Sequence, residues 1–200
     1  MARERTRPDV AAQRESWFGR LAGLDPCRLL FLDETWTKTN LTRSYGWGPC
    51  AERVTEAVPH GHWMTTTLLC AVRTEGVVAP LVVDGPINGE LFLAWVRQHL
   101  APALRPGDAV VLDNLSCHKV KGVREAIEAV GAKVLYLPPY SPDFNPIEPI
   151  FSWFKARLRG LRARTCEALW TAIGQLCDDL SPQTIAHCYT HCGYRAAPAA

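Results

Sequence analysis

The chain contains no run of about 18 apolar residues, so no segment reads as a membrane span. Its first residues, MARERTRPD, are polar with no apolar stretch behind them, which leaves no secretory signal. There is no CxxC pair, no internal repeat and no low-complexity tract. The net charge of +2 is too small to name a partner, so local clustering has to do that. These absences leave a cytoplasmic protein as the expectation, and in that compartment the eight cysteines read as reduced thiols rather than a disulfide framework. What is present is ordinary globular material: 200 residues, 48% hydrophobic and 21% charged, enough for one domain with a proper core.

The pattern along the chain is strands first, then strands alternating with helices. Residues 8–24 have helical spacing, with Val10, Trp17, Leu21 and Leu24 on one face. RLLFLDET is an apolar run closing on acid, as expected of a buried strand that ends near Asp33. SYGWGPC reads as a turn-rich hairpin region. WMTTTLLCAVRT and VVAPLVVDG read as further strands, and DAVVLDN and KVLYLP as two more. Helices are expected over NGELFLAWVRQHLAPAL (capped by Asn88), KGVREAIEAVGA, the segment from Pro146, TCEALWTAIGQLCDDL, and from Ser181 onward. The sum is an α/β domain with a mixed sheet.

Two apolar strands run into aspartate, at Asp33 and at Asp113. If those strands are parallel neighbours, both carboxylates emerge at one carboxyl edge. Two such anions repel, and a divalent cation is their natural partner; a helix cap or a solvated loop is the plainer alternative for each. The proline-rich stretch LPPYSPDFNPIEP then sets a rigid entrance to the next helix. Asn145, Pro146, Ile147 and Glu148 fit Ncap, N1, N2 and N3. Glu148 is thus either the return arm of a capping box or a third carboxylate aimed at the aspartates. Pro149, at N4, sacrifices a helix hydrogen bond in this register.

FLDET, YGWGP, LVVDGPIN, LDNLSCHK, YLPPYSPDFNPIE and the closing CGY, with 34 residues between Asp113 and Glu148, resemble the catalytic domain of bacterial insertion-sequence DDE transposases of the mariner-related branch. The resemblance runs from about Leu24 to Tyr194. It implies a ribonuclease H-like fold, a mixed five-stranded sheet flanked by helices, over residues 25–200, with 1–24 as a polar tail and linker helix. It implies metal-dependent DNA cleavage and strand transfer in a bacterial cytoplasm, at the nucleoid. It makes Asp33, Asp113 and Glu148 both the catalytic triad and the ligands of Mg²⁺ or Mn²⁺, as two ions, with Asp33 bridging. A nuclease that hydrolyses without joining, and a truncated remnant that only binds DNA, are the alternatives.

Around this triad, Lys155, Arg157, Arg159, Arg162 and Arg164 make the helix after Glu148 basic, with Ile150, Phe151, Phe154 and Leu158 inward; Lys119, Lys121 and Arg124 extend the same expected DNA surface. Asn114, His118 and Asn145 are supporting candidates. His118 would orient a phosphate or metal-bound water, or serve structure alone. Tyr45 and Trp47 read as hairpin packing, with Arg43 and Arg53 as the alternative DNA contacts. Trp95, Trp153, Trp170 and the other tryptophans read as core. HCYTHC (residues 187–192) carries two histidines and two cysteines, but a single helix turns the cysteines about 100° from the histidines, too far to close round one zinc. Transposon ends and target DNA are the expected partners, on a homodimer. Only 32 residues precede Asp33, too few for a helix-turn-helix module, so the expectation is a truncated copy or the downstream product of a split gene.

Overall fold

The computed structural model describes residues 3–57, 60, 61 and 63–195. Five strands, β1 (Leu29–Lys38), β2 (Thr65–Arg73), β3 (Gly76–Asp84), β4 (Ala109–Leu112) and β5 (Lys133–Tyr136), form one sheet in the order β3-β2-β1-β4-β5. The first three are antiparallel; β4 and β5 run parallel to β1. The helices are α1 (Pro8–Arg20), α2 (Gly89–Trp95) continuing through a π turn into α3 (Ala101–Ala103), α4 (Val123–Glu128), α5 (Ile147–Leu161), α6 (Cys166–Asp179) and α7 (Pro182–His191). This is the mixed five-stranded, helix-flanked arrangement expected of a ribonuclease H-like domain.

The central strands are apolar on both faces because each face is covered. Alternation sends Leu29, Phe31, Leu68, Cys70, Val72, Ala109 and Val111 to one side, where they meet Trp17, Phe151, Phe154, Ile173 and Ile185. Leu30, Leu32, Leu69, Ala71, Val110 and Leu112 face Phe92, Trp95, Val123 and Ile127 on the other. α5 buries Ile150, Phe151, Phe154 and Leu158 as its spacing foretells. α1 packs its Val10, Trp17 and Leu21 inward, so the N-terminal helix lies on the domain itself.

Four sequence expectations are corrected. β1 does not end at Asp33 but runs on to Lys38, held by β2 alone after β4 has stopped. SYGWGPC forms no hairpin; residues 39–57 carry no helix or strand and belong to a long connection in which Tyr45 and Trp47 are fully exposed. Trp36, Trp63 and Trp170 are likewise at the surface, whereas Trp17 and Trp95 are buried. The helix after Asp113 begins only at Val123, so Lys119 and Lys121 lie before it, in a 3₁₀ turn and a loop.

The closing CGY is a helix stop. Tyr194 N–H donates to the Tyr189 carbonyl and Gly193 N–H to that of Thr190, a Schellman motif with Gly193 at φ 94°. A Cβ there would sit 2.8 Å from the Phe18 ring, so only glycine fits. The turn carries Tyr194 back under the proline-rich loop.

Candidate active site

Leu29 pairs with Ala109 and Phe31 with Val111. Continuing that register sets Asp33 beside Asp113 at the edge where β4 ends. Glu148 lies in the first turn of α5, and all three line one cleft of about 400 Å³ with Asn114, Asn145 and residues 137–142. The structure therefore brings together the three acidic residues read from the sequence. They share the cleft loosely: among the described residues, they do not place one oxygen each within 4.8 Å of one another.

The three carboxylates differ sharply in support. Asp33 is buried; it accepts from Glu34 N–H at 2.9 Å and from Asn145 Nδ2 at 3.1 Å. Burial first, then the charge of Asp113, pushes its pKa up to about 7. Asp113 is half-exposed; burial pushes it up, but the hydrogen bond with His118 and that from Leu115 N–H outweigh this and hold it below the ordinary value. His118 is fully buried between two carboxylates, with Nδ1 2.6 Å from Asp113 Oδ1 and Nε2 2.9 Å from Glu34 Oε2. Burial opposes its charge, but these two hydrogen bonds prevail and raise it to about 9. Glu148 is exposed, and no hydrogen bond to its carboxylate occurs among the described residues.

This settles the local question at the helix entrance. α5 starts at Ile147, one residue later than the capping register requires. Asn145 N–H donates to the Pro142 carbonyl at 3.0 Å, so no capping box forms with Glu148. Asn145 Oδ1 meets Ile147 N–H only at 3.4 Å, while its amide group is turned to Asp33. The Asn145 carbonyl accepts from Glu148 N–H at 3.2 Å, so Pro149 costs no hydrogen bond there.

The proline-rich loop is clamped from outside. Arg14 of α1 donates to Ser141 Oγ at 2.6 Å and to both oxygens of Asp143 at 3.0 and 2.7 Å, and lies over the Phe144 ring; Arg5 adds a bond to Asp143. Tyr194 donates to the Phe144 carbonyl at 2.6 Å and accepts from Trp17 Nε1 at 2.9 Å. Sequence reasoning missed Arg14, Asp143 and Glu34, because their partners lie 129 and 84 residues away. The acidic pair in FLDET was the one available hint of Glu34.

The supporting and basic residues sort themselves. Asn114 is a brace: its Nδ2 donates to the Leu137 carbonyl, and its Oδ1 accepts from Lys119. His118, fully buried, orients Asp113 rather than a phosphate. Arg157 lies over Trp153, and Lys155 over the exposed Trp36. Arg124 is paired with Glu128. Arg162 pairs with Glu56, and Arg164 donates to the Thr39 and Leu41 carbonyls. These last two tether the long connection instead of extending a basic helix face. The HCYTHC side chains make no metal-binding cluster among the described residues. No helix among those residues is long and apolar enough to cross a membrane.

A family model described as DDE superfamily endonuclease matches residues 28–170. No curated protein matches the chain in sequence. Among solved structures, the Mos1 strand transfer complex superposes with TM-score 0.76 at 18% identity, covering 95% of this chain and 59% of that one. The Mos1 mariner paired end complex with Mn gives 0.74 at 18%, covering 98% and 65%. The catalytic domain of Mos1 mariner transposase alone gives 0.68 at 16%, covering 95% and 89%. The chain thus spans about 59–65% of the longer Mos1 chains and nearly all of the isolated catalytic domain. On the match that takes in Asp33, Asp113 and Glu148 together, the chain belongs to the DDE superfamily endonucleases.

Proposed function

We propose that this chain is the catalytic core of a mariner-related DNA transposase, cleaving and joining DNA strands with Asp33, Asp113 and Glu148 as its working carboxylates. One observation carries the reading: two aspartates at neighbouring positions of parallel strands and a glutamate on a loop-fixed helix open onto the same cleft. The three offer oxygen donors alone, the chemistry that Mg²⁺ and Mn²⁺ take. Asp33, holding its proton to about pH 7, marks negative charge in want of compensation, so these residues fit such a cation. When bound, the metal supplies Lewis acidity for in-line displacement at phosphorus, and a pair of ions serves both attacking and leaving oxygens.

The chain's own groups do the rest. Asn145 holds Asp33 in place, and His118 keeps Asp113 ionised. Glu148, whose carboxylate takes no hydrogen bond among the described residues, stays available at the rim. Lys155, Arg157 and Arg159, further along α5 from Glu148, suit the backbone phosphates of DNA. Mos1 forms a strand transfer complex and a paired-end complex with its left transposon end; by analogy the substrates are transposon ends and target DNA, with a second copy as partner. The test is one incubation of supercoiled DNA and a labelled oligonucleotide with Mn²⁺. Nicking plus joined products, both lost in Asp33→Ala, supports the reading; nicking without joining would leave a nuclease, and activity in Asp33→Ala would remove the site.

A further inference from the structure

We propose that Glu34, Cys117 and His118 form a second cation site, behind the carboxylate cleft, that takes a borderline-soft divalent ion of the zinc class. The proposal starts from a convergence: a carboxylate oxygen of Glu34, the Cys117 sulfur and a ring nitrogen of His118 all lie within 4.8 Å of one another. His118 Nε2 is 2.9 Å from Glu34 Oε2, and Cys117 Sγ is 4.0 Å from Glu34 Oε1. In a tetrahedral zinc site, with bonds of about 2.0–2.3 Å, neighbouring ligand atoms stand roughly 3.3–3.8 Å apart. A small rotation of two half-buried side chains therefore closes the set.

The donor set itself discriminates. The cleft offers oxygens alone and suits hard ions, whereas sulfur, imidazole nitrogen and one carboxylate suit zinc. The two sites need not compete for metal.

The surroundings are those of a prepared ligand. A metal-binding histidine commonly gives its other ring N–H to a carboxylate, which fixes tautomer and orientation. His118 has that arrangement already, with Nδ1 2.6 Å from Asp113 Oδ1, and its ring is pinned against Phe92 at a centroid distance of 4.6 Å. Nε2 therefore faces Glu34 and Cys117 with no freedom to turn away. Binding exchanges protons for metal: the Nε2 proton and the Cys117 thiol proton leave to solvent, and a water completes the fourth position. Cys117 has no part in the strand-cutting reading, and this site gives it one.

Occupancy has a consequence, which rests on that reading while the binding does not. A dication on Nε2 lies one imidazole ring from Asp113 and weakens that carboxylate's attraction for a hard cation in the cleft. Zinc at this site should slow Mg²⁺-dependent cleavage without displacing Mg²⁺ from Asp33 and Glu148.

Co²⁺ titration of the metal-free protein tests the binding directly, because a thiolate ligand gives a near-ultraviolet charge-transfer band and tetrahedral cobalt gives intense visible bands. One Co²⁺ per chain with both features is expected, and zinc should erase them. Cys117→Ser should lose the charge-transfer band and bind at least ~10-fold more weakly, with its melting temperature and Mg²⁺-dependent cleavage unchanged. Glu34→Gln should keep the band but bind more weakly, and Asp33→Asn should keep both band and affinity. A band that persists in Cys117→Ser places the metal on another cysteine and overturns the proposal, as does the absence of any band in the parent. If the spectra behave as stated but zinc leaves cleavage untouched, the site stands and its link to the strand-cutting reaction fails.

Discussion

Asp33 on β1 and Asp113 just past the end of parallel β4 share one cleft, and the fold treats them in opposite ways. Asp113 faces a buried histidine that carries charge up to about pH 9 and is itself balanced by Glu34. Asp33 faces an amide and a backbone N–H, both neutral, and keeps its proton to about pH 7. One aspartate is neutralised from within the protein; the other depends on something brought from outside. On the proposed reading, the difference puts the demand for a cation on the Asp33–Glu148 side, away from His118.

The comparison breaks first, and hardest, at Glu148. If this exposed carboxylate completes the under-compensated side, Glu148→Gln should reduce DNA cleavage by roughly 10²–10³-fold, the loss typical of one preorganised electrostatic group. Because its side chain neither caps α5 nor takes a hydrogen bond among the described residues, the melting temperature should stay within about a degree of the parent. A variant that melts far lower yet cuts DNA would return Glu148 to a helix-start role.

How much of this was readable beforehand follows from the range of each interaction. The strands around Asp33 and Asp113 and the inward face of α5 were legible, because alternation and helical spacing are local signals repeated several times over. Pro146, Pro149 and the loop before them announced a rigid entrance, and that too is local. The start of α5 was misread by one residue because Asn145 serves Asp33, a partner 112 residues distant, in preference to its own helix. Arg162 and Arg164 looked like part of a basic face, since nothing nearby reveals that Glu56 and the Thr39 and Leu41 carbonyls will claim them. Tyr45 and Trp47 looked like packing residues because aromatic composition carries no information about whether a neighbour exists.

Opposite signs of stability change are the second way to sharpen the contrast. In metal-free protein at neutral pH, Asp33→Asn should stabilise by about 1–3 kcal/mol: it removes a buried group that resists ionisation, while its one amide oxygen keeps the bond from Glu34 N–H and gives up the one from Asn145 Nδ2 unless that amide turns. Asp113→Asn should destabilise by about 1–3 kcal/mol, because it leaves buried His118 with one carboxylate instead of two; its partial exposure tempers the loss. Added Mg²⁺ should raise the parent's melting temperature by several degrees and the Asp33 variant's by little. Chemical denaturation with and without Mg²⁺ reads all of these, and equal signs in the two variants would erase the distinction.

The pH profile of the metal-free protein should then show two smaller steps in the same direction. An unfolded aspartate ionises near 3.8, whereas folded Asp33 holds its proton to about 7, so there is no penalty below pH 4 and a growing one between 4 and 7. His118 is raised from 6.5 to about 9, so its contribution is complete below about pH 6.5 and is lost as the pH passes through 9. Stability should therefore fall from pH 4 to 9. Asp33→Asn should flatten the lower half and His118→Gln the upper half. A His118 variant with an unchanged profile above pH 7 would mean that the imidazole is neutral in the fold.

The smallest effect belongs to the clamp outside the cleft. Asp33 owes its side-chain contact to Asn145, Asn145 rides on the proline-rich loop, and Arg14 grips that loop through Ser141 and Asp143. Outer residues that orient a ligand typically cost 10–100-fold in metal affinity when removed, and Arg14 is one step further out. Arg14→Ala should therefore raise the Mg²⁺ or Mn²⁺ concentration for half-maximal cleavage about 3–10-fold, with the rate at saturating metal nearly unchanged. Lysine keeps the attraction to Asp143 but cannot fork to Ser141 as well, so Arg14→Lys should fall between the two. A purely structural role for Arg14 would lower the melting temperature of both variants and leave the metal requirement where it was. The same titration on the Asp113 side sharpens the contrast: Lys119→Ala, which removes one of the two bonds that hold Asn114, should leave the metal requirement unshifted, because His118 already holds that carboxylate.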